Sequence, residues 1–449
     1  MNPVTAIGRA GHAGAGGAAS VALSVVRGAR RGAGSLDYRW VVLAVGLGAQ
    51  TAISGLRQGM PSLVPALRGE YALSLHQVGV MLAAVNVGVF LTLFAWGVLA
   101  DRIGERFVLT AGLAAAACAL ACAAAAPGYP TLIAALLAAG MAGSSAIGAS
   151  GRAVMGWFGR AERGMALGIR QTGVPLGGAL AAVGLPLVVA WIDLRAALLV
   201  LAAGCAGAAF ASWRWMREPP PAAFVGRPTI DAPPPHRDRR LWRLSLGSSV
   251  IVVAQAGLFG FLVLFLHDEK GWSVTAAAGA LGLLYAGGAV ARILAGRWSD
   301  RIDERVAPLR SLVAAASVLL LGAGALEAAG APTPLMLTVL LAGGILASSW
   351  NGLSLTAATE MSGREHAGKA IGVQNTMLNG AGALAPIAFA SAVVATSWAL
   401  SWIALAVCQL AGVALLAPLV AEERNRRDER RRRTCKASPS TPAAQETYT

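Results

Sequence analysis

Long apolar runs alternate with short polar segments along most of this chain, beginning at Trp40. A helix needs about 20 mostly apolar residues to cross the hydrocarbon core of a bilayer, and run after run reaches that length. The pattern predicts an all-α membrane protein with twelve transmembrane helices. The predicted spans are residues 40–66, 76–99, 107–126, 131–156, 165–190, 196–213, 241–266, 276–296, 311–327, 334–356, 369–396 and 398–420.

A polar, proline-rich segment divides these runs into six and six. Residues 214–240 contain two clusters of three prolines together with arginines, a composition that predicts a linker and not a packed core. We therefore predict a flexible basic tail (1–38), a six-helix bundle (39–213), a cytoplasmic linker (214–240), a second six-helix bundle (241–420) and a charged tail (421–449).

The two halves repeat one another. The segment GVLADRIGER at 97–106 returns 199 residues later as GRWSDRIDER at 296–305. A second repeat, at an offset of 204, relates 159–180 to 363–384, and a third, at 205, matches Gln50 with Gln255. Such similar offsets indicate duplication of a six-helix unit, which suits a protein whose two pseudosymmetric bundles rock about a central site.

Composition and charge agree with a membrane protein. Hydrophobic residues make up 56 % of the chain and charged residues 13 %, far fewer charges than an ordinary soluble domain has. The net charge of +15 would suit nucleic acid, but the cations concentrate in the tails, the linker and the connections after even-numbered spans. We assign twelve cations to those connections, Arg292 among them, and three to the opposite ones. The positive-inside rule then places both termini in the cytoplasm, and we expect no nucleic acid partner.

The repeated segment resembles the signature loop that follows the second helix in the major facilitator superfamily. The matching residues are Gly97, Asp101, Arg102, Gly104 and Arg106, and in the second copy Gly296, Asp300, Arg301 and Arg305. The resemblance extends from Trp40 to Val420, and it implies two six-helix bundles, alternating access and a conformational latch formed by these loops. The sequence departs from the family pattern at Glu105.

Physical chemistry allows two interpretations of the loops. A carboxylate such as Asp101 at a helix junction accepts from exposed backbone N–H groups and from neighbouring arginines, as a latch requires. The alternative is an ordinary solvated loop pair that contributes about 0–1 kcal/mol.

Span five contains GIRQTGVPLGG, at residues 168–178. Glycines four residues apart lie on one helix face and allow close backbone approach, and an internal proline favours a kink. The segment resembles the Gly-Pro element of superfamily antiporters, and as a whole it is similar to the cyanate-permease-like branch. We favour tight helix packing for its residues, with a hinge at the proline; they are Gly168, Gly173, Pro175, Gly177 and Gly178.

With Arg152 and Arg292 counted among the connections, we assign two arginines, Arg57 and Arg170, to the interior of predicted spans, whereas no Asp or Glu lies in the middle of any span. Buried cations without carboxylate partners are expensive, so we predict an anionic ligand. Arg170 has an alternative, because its guanidinium is near enough to the span end to reach the cytoplasmic interface. Other polar residues predicted to line the site, or to join helices, are Gln50, Asn86, Gln171, Gln255, Tyr285, Asn351, Gln374, Asn375 and Asn379.

The sequence contains no nucleotide-binding Gly-Lys-Ser/Thr loop, no catalytic constellation and no metal-ligand spacing, so we predict no enzyme, no cofactor and no metal. We predict a monomeric secondary transporter that moves a small anion, a carboxylate or an inorganic anion such as cyanate. An efflux pump for apolar compounds and a transporter-like sensor are the alternatives. The coupling ion is left open. Arginine outnumbers lysine 34 to 3 in an alanine- and glycine-rich background, which suggests a GC-rich bacterium and its inner membrane.

Overall fold

The computed structural model describes residues 14–159, 162–218 and 238–437. Apart from short connections, these residues are helical. The helices are α1 (Gly14–Tyr71), α2 (Leu75–Ile103), α3 (Glu105–Ala124), α4 (Tyr129–Gly143), α5 (Ser145–Trp157), α6 (Arg163–Gln171), α7 (Gly173–Trp191), α8 (Leu194–Trp215), α9 (Arg239–Asp268), α10 (Val274–Ile302), α11 (Val306–Ala328), α12 (Thr333–Ala347), α13 (Asn351–Ala395) and α14 (Trp398–Ala437).

Twelve segments of the described chain are long and apolar enough to cross a membrane. Each lies on one of the predicted spans, with boundaries shifted by about six residues at most, so the predicted twelve-helix fold is confirmed. Several spans differ from single helices: span 1 is the Tyr38–Tyr71 part of α1, span 4 is α4 with α5, span 5 is α6 with α7, and α13 contributes to spans 10 (Thr333–Ser362) and 11 (Lys369–Ala395).

The predicted tails and linker lie partly outside the described residues, which leave out 1–13, 219–237 and 438–449. Within the described residues, the backbone of the predicted N-terminal tail is helical from Gly14 and continues into span 1. The backbone beyond span 12 is helical through Ala437.

Helix starts and breaks repeat between the halves. Ser74 and Ser273, 199 residues apart, each accept a hydrogen bond from the first turn of the helix that follows, α2 or α10, as helix-capping serines do. Ser144 separates α4 from α5, and Ser348, 204 residues later, ends α12 before α13 begins. Spans 4 and 10 are therefore broken at equivalent positions, and such paired breaks point to the binding region of a transporter built from repeats.

The two halves touch at one end of the molecule, where spans 1 and 7 end and spans 2 and 8 begin. We call it the closed end. A Cβ atom added to Gly79 of span 2 would lie 2.8 Å from the Pro386 carbonyl oxygen of span 11, so these helices are in backbone contact. Arg68 and Asp268, from spans 1 and 7, form an ion pair across the halves.

The opposite end, where the even-numbered spans connect to the next span, is the open end. The largest cluster of buried apolar side chains includes residues of both halves. Two smaller clusters, one around Phe158 and one around Trp350, each stay within one half. Among the described residues, no hydrogen bond or ion pair joins the halves at the open end. The halves thus converge toward the closed end, with a central region between them.

Candidate functional site: a central polar layer between the halves

Arg57 of span 1 joins the two halves. Its Nε donates to Asn86 Oδ1 of span 2 at 2.9 Å, and one terminal nitrogen donates to Asn379 Oδ1 of span 11 at 3.0 Å. Each asparagine also donates its own amide N–H to a carbonyl oxygen one turn earlier on its helix, Leu82 or Asn375. Both amides are therefore held with their oxygens directed at the guanidinium, so the protein's own dipoles solvate a cation that has no ion-pair partner among the described carboxylates.

Tyr285 of span 8 lies in the same layer. Its hydroxyl donates to the Gln58 carbonyl oxygen of span 1 at 3.0 Å, and the Phe259 ring packs edge-on against its ring with centroids 5.1 Å apart. A Cβ atom on Gly178 of span 5 would lie 3.2 Å from both Gln58 and the Tyr285 ring, so a glycine leaves space for this contact. The structure thus brings four predicted site residues together: Arg57, Asn86, Tyr285 and Asn379.

Arg170 belongs to a separate cluster inside the first half, where it is 5 % exposed. Its guanidinium donates to Ser150 Oγ at 2.8 Å, Gln50 Oε1 at 2.8 Å, the Ile147 carbonyl oxygen at 2.7 Å and Gln171 Oε1 at 3.4 Å. These bonds tie span 5 to spans 1 and 4. The guanidinium points into its own bundle and does not extend to the interface, so the structure places the predicted site residues Gln50 and Gln171 around a structural cross-link.

The second half contains the equivalent cluster in uncharged form. Gln374 and Ser354, each 204 residues after Arg170 and Ser150, are hydrogen-bonded, and Ser354 also contacts Ser248 at 2.7 Å. Gln374 is fully buried within its half, away from the central layer. Of the remaining predicted residues, Asn351 donates to Gln255 at 3.3 Å, and Asn375 contributes its carbonyl oxygen to Asn379.

Arg292 is the residue that sequence reasoning misplaced. Our prediction assigned it to the connection after span 8, but it lies inside that span, ten residues before the end of α10 at Ile302. Ten residues of helix correspond to about 15 Å. The signal was present in the sequence, because position 292 lies four residues before the signature segment at 296–305 and inside the predicted span 276–296.

The predicted latch residues of the first half form a network at the open end. The Asp101 carboxylate pairs with Arg152 of span 4, which also donates to the Gly97 carbonyl oxygen at 2.9 Å. The partner of Asp101 is therefore a cation of another span and not the adjacent Arg102, whose side chain is exposed. Gly104 has φ +87°, and a Cβ there would lie 2.5 Å from Glu218, which accepts from the backbone N–H of Arg106.

The second half builds a similar network. Arg305 pairs with Asp300 and donates to Glu360 at 3.0 Å, while Glu423 accepts from the backbone N–H of Arg305 at 2.6 Å. Glu218 and Glu423 are 205 residues apart, so a carboxylate at the end of each half caps an equivalent helix start. Of the other predicted latch residues, Arg301 is exposed and Gly296 faces open space. In the described residues each network stays within its own half.

The glycines of span 5 differ in their surroundings. A Cβ atom on Gly177 would lie 2.3 Å from the Thr51 carbonyl oxygen of span 1, and one on Gly173 would lie 3.0 Å from the Leu47 carbonyl oxygen. Gly168 faces open space, so the close approach to span 1 occurs at the later glycines. Span 5 is interrupted at Thr172, three residues before Pro175.

Two duplicated bundles with polar residues between them define a multi-pass membrane transporter built from two halves. The sequence matches the Major Facilitator Superfamily over residues 46–386, and the chain belongs to that family. Its members are transporters and not enzymes, so the predicted family and transport function are confirmed at this level.

Relatives and solved structures agree with this assignment. The chain is 33 % identical over 399 residues to the uncharacterized MFS-type transporter Rv2994 of Mycobacterium tuberculosis, covering 88 % of this chain and 89 % of the relative. It superposes with a TM-score of 0.71 and 18 % identity on a bacterial homologue of the human lysosomal transporter Spinster, in an inward-facing and occupied conformation, covering 86 % and 97 % of the two chains. The human organic anion transporter MFSD10 gives a TM-score of 0.63 at 18 % identity, with coverage of 84 % and 99 %. At these identities the structures show the fold alone.

Proposed function

We propose that this protein carries a small anion across the bacterial inner membrane by alternating access, with Arg57 as the principal ligand of the anion. The substrate is a small carboxylate or an inorganic anion such as cyanate. A single observation supports the proposal most: among the described residues, the guanidinium in the middle of span 1 is bonded only to the neutral amides Asn86 and Asn379, one from each half. An intramembrane cation without a carboxylate is by default a functional group.

In this conformation the side-chain amides of Asn86 and Asn379 occupy the place of the substrate anion beside Arg57. The amide oxygens accept hydrogen bonds from the guanidinium but do not neutralise its charge. An anion that displaces them therefore gains a charge-assisted hydrogen bond in a site of low dielectric. Asn379 belongs to the other half, and its bond to Arg57 breaks when an anion takes its place. Binding is thereby coupled to the contact between the halves, as a rocking mechanism needs.

The charge distribution supports an orientation for this cycle. Cations concentrate at the open end, and the positive-inside rule then places that end and both termini in the cytoplasm. The described conformation is accordingly the inward-facing one, in which Arg57 is reached from the cytoplasm. The ends of α2 and α10, with the signature loops, form the latch that closes the same end in the opposite conformation.

Uptake measurements on purified protein in proteoliposomes test the proposal. Radiolabelled cyanate, acetate and a hydrophobic cation serve as three probes, each measured with parent protein and with Arg57→Gln. The matched control is Arg243→Gln, because Arg243 is an exposed arginine at the open end of span 7, outside the signature segments. We expect anion uptake by the parent, unchanged uptake by the control and a loss of at least tenfold in Arg57→Gln, the size of effect expected when a charged hydrogen-bond partner is removed.

A second variant separates binding from folding. Asn379→Asp keeps the size of the side chain but places a carboxylate 3.0 Å from the guanidinium, so the chain supplies its own anion. We expect this variant to fold and to lose anion uptake. Anion uptake that survives both Arg57→Gln and Asn379→Asp contradicts the proposal, and transport of the hydrophobic cation alone favours an efflux pump. Anion binding without flux indicates a sensor.

A further inference from the structure

Arg292 makes a single hydrogen bond within the described residues, whereas Arg152 of span 4, which also has buried nitrogens without a partner, is paired with Asp101. One terminal nitrogen donates to the Ser348 carbonyl oxygen at 3.1 Å, while the Nε atom is buried with no hydrogen-bond partner among the described residues. Arg170, by comparison, makes four side-chain bonds and Arg57 two. A buried N–H group without a partner is rare and marks strain or a missing ligand.

The surroundings of Arg292 are polar and lie at the break of span 10. The Ser348 carbonyl oxygen that accepts from Arg292 also accepts from the Asn351 amide at 3.4 Å, and the same amide donates to Gln255 at 3.3 Å. Asn351 is the first residue of α13, and a Cβ atom on Gly352 would lie 3.7 Å from the Arg292 side chain, so the start of this helix packs beside Arg292. A cation, amide side chains and a helix start together favour an anion.

A purely structural role explains only part of this geometry. A cation near the C-terminus of α12 interacts favourably with its last carbonyl groups, and the bond to Ser348 is of that kind. Such a cap leaves Nε without a partner and leaves the charge inside the bilayer without an ion-pair partner among the described carboxylates. An anion beside the guanidinium satisfies both.

The position of Arg292 relates it to the central layer. Tyr285 contacts span 1 next to Arg57, and Arg292 follows Tyr285 by seven residues, which is two helical turns on the same face and about 10 Å toward the open end. Arg57 belongs to the first half and Arg292 to the second. Each half therefore has one cation near the path between the central layer and the open end.

We propose that Arg292, with Gln255 and Asn351, forms a second anion subsite in the second half, between Arg57 and the open end. This inference rests on the proposed function, because the ligand is the same small anion that Arg57 binds. An anion entering from the open end reaches Arg292 first and then passes to Arg57. Sequential cationic sites keep the anion solvated along the path, and they bring one charged contact from each half to a single substrate.

The test measures the concentration dependence of cyanate and acetate uptake into proteoliposomes. The variants are Arg292→Gln, Arg292→Lys and, as the matched control, Arg243→Gln. We expect KM for the transported anion to rise about tenfold or more in Arg292→Gln, to recover partly in Arg292→Lys, which keeps the charge, and to remain at the parent value in the control. Thermal unfolding in detergent with and without the anion gives a second readout, since the anion stabilises the protein less when the subsite is lost.

Asn351→Asp keeps the inference testable if Arg292→Gln does not fold. This variant places a carboxylate beside the Ser348 carbonyl oxygen, which accepts hydrogen bonds from both Asn351 and Arg292. We expect the variant to fold and to have a raised KM for the anion. Parent KM values in Arg292→Gln or in Asn351→Asp overturn the second subsite. If the parent transports neither anion, or if Arg57→Gln transports both normally, the proposed function fails instead. A variant of Arg292 that lowers stability equally with and without anion, at unchanged KM, assigns the residue to capping alone and also overturns the subsite.

Discussion

Asp268→Asn is expected to weaken the closed end of the transporter. Asp268 ends α9 and pairs with Arg68 near the end of span 1, and it forms the one ion pair between the halves in the described part of the chain. The substitution keeps the side chain's size and removes its charge. If this pair helps to hold the halves together, the population of molecules open at that end rises.

The exposure of the pair sets the magnitude. The Arg68 side chain is 38 % exposed and that of Asp268 27 %, so water and salt screen the attraction. Pairs of this kind contribute about 0–1 kcal/mol, and we take about 0.5–1 kcal/mol as the upper part of that range. This free energy corresponds to a change of about two- to fivefold in the ratio of the two conformations.

Cysteine accessibility measures that ratio. In a background in which the five native cysteines are replaced, Ala390→Cys introduces a thiol at a fully buried position that faces Gly79 across the halves. A maleimide reacts with this thiol only when the closed end opens. The labelling rate of purified protein should therefore rise about two- to fivefold in Asp268→Asn and in Arg68→Gln.

Two further variants make the measurement decisive. Exchanging the charges in Arg68→Asp/Asp268→Arg should restore the parent rate, because the pair forms again with opposite polarity. Lys270→Gln is the control, since Lys270 pairs with Glu327 inside the second half at the same end. Parent labelling rates in both single variants, or a double variant that labels faster than either, would refute this reasoning.

Three other predictions follow from the contacts. Arg170→Ala should lower the free energy of unfolding by about 2–3 kcal/mol, from roughly 0.6–1 kcal/mol for each buried acceptor left without a donor. Gln374→Ala should lower it by about a third of that amount. Equal losses for the two variants in detergent–SDS unfolding would count against Arg170 as the main cross-link. Gly177→Ala should cost about 1–3 kcal/mol through overpacking against span 1, whereas Gly168→Ala, facing open space, should be neutral by the same assay. Asp101→Asn should lower uptake while leaving membrane insertion intact, and parent uptake would remove Asp101 from the latch.

The pattern of spans was predictable from the sequence because the bilayer imposes one length on every crossing helix. The twelve runs and their division into two halves follow from hydropathy and from repeats at offsets of 199 to 205 residues. The depth of Arg57 followed as well, since it lies far from both ends of span 1. Boundaries were less certain, with differences of up to six residues at span ends. The assignment of Arg292 to a connection was wrong for another reason, because position 292 lies inside the predicted span 276–296 as well as inside the observed one.

The partners of polar side chains were not predictable. Arg57 and Arg170 have the same chemistry, yet one bridges the halves and the other is bonded within its own bundle by Gln50 and Ser150. Helix rotation decides between these outcomes, and a rotation depends on packing against several neighbouring helices at once. For the same reason, Asp101 pairs with Arg152 of span 4 and not with the arginine beside it.

The sequence by itself determined the membrane fold, its duplication and the presence of cations without carboxylates in the spans, because these are properties of composition and spacing. Only the tertiary structure decided which cation lies between the halves, which one is a cross-link and which one has a buried nitrogen without a partner. These distinctions depend on distances between residues up to 322 positions apart in the chain, and such distances exist only once the helices have packed.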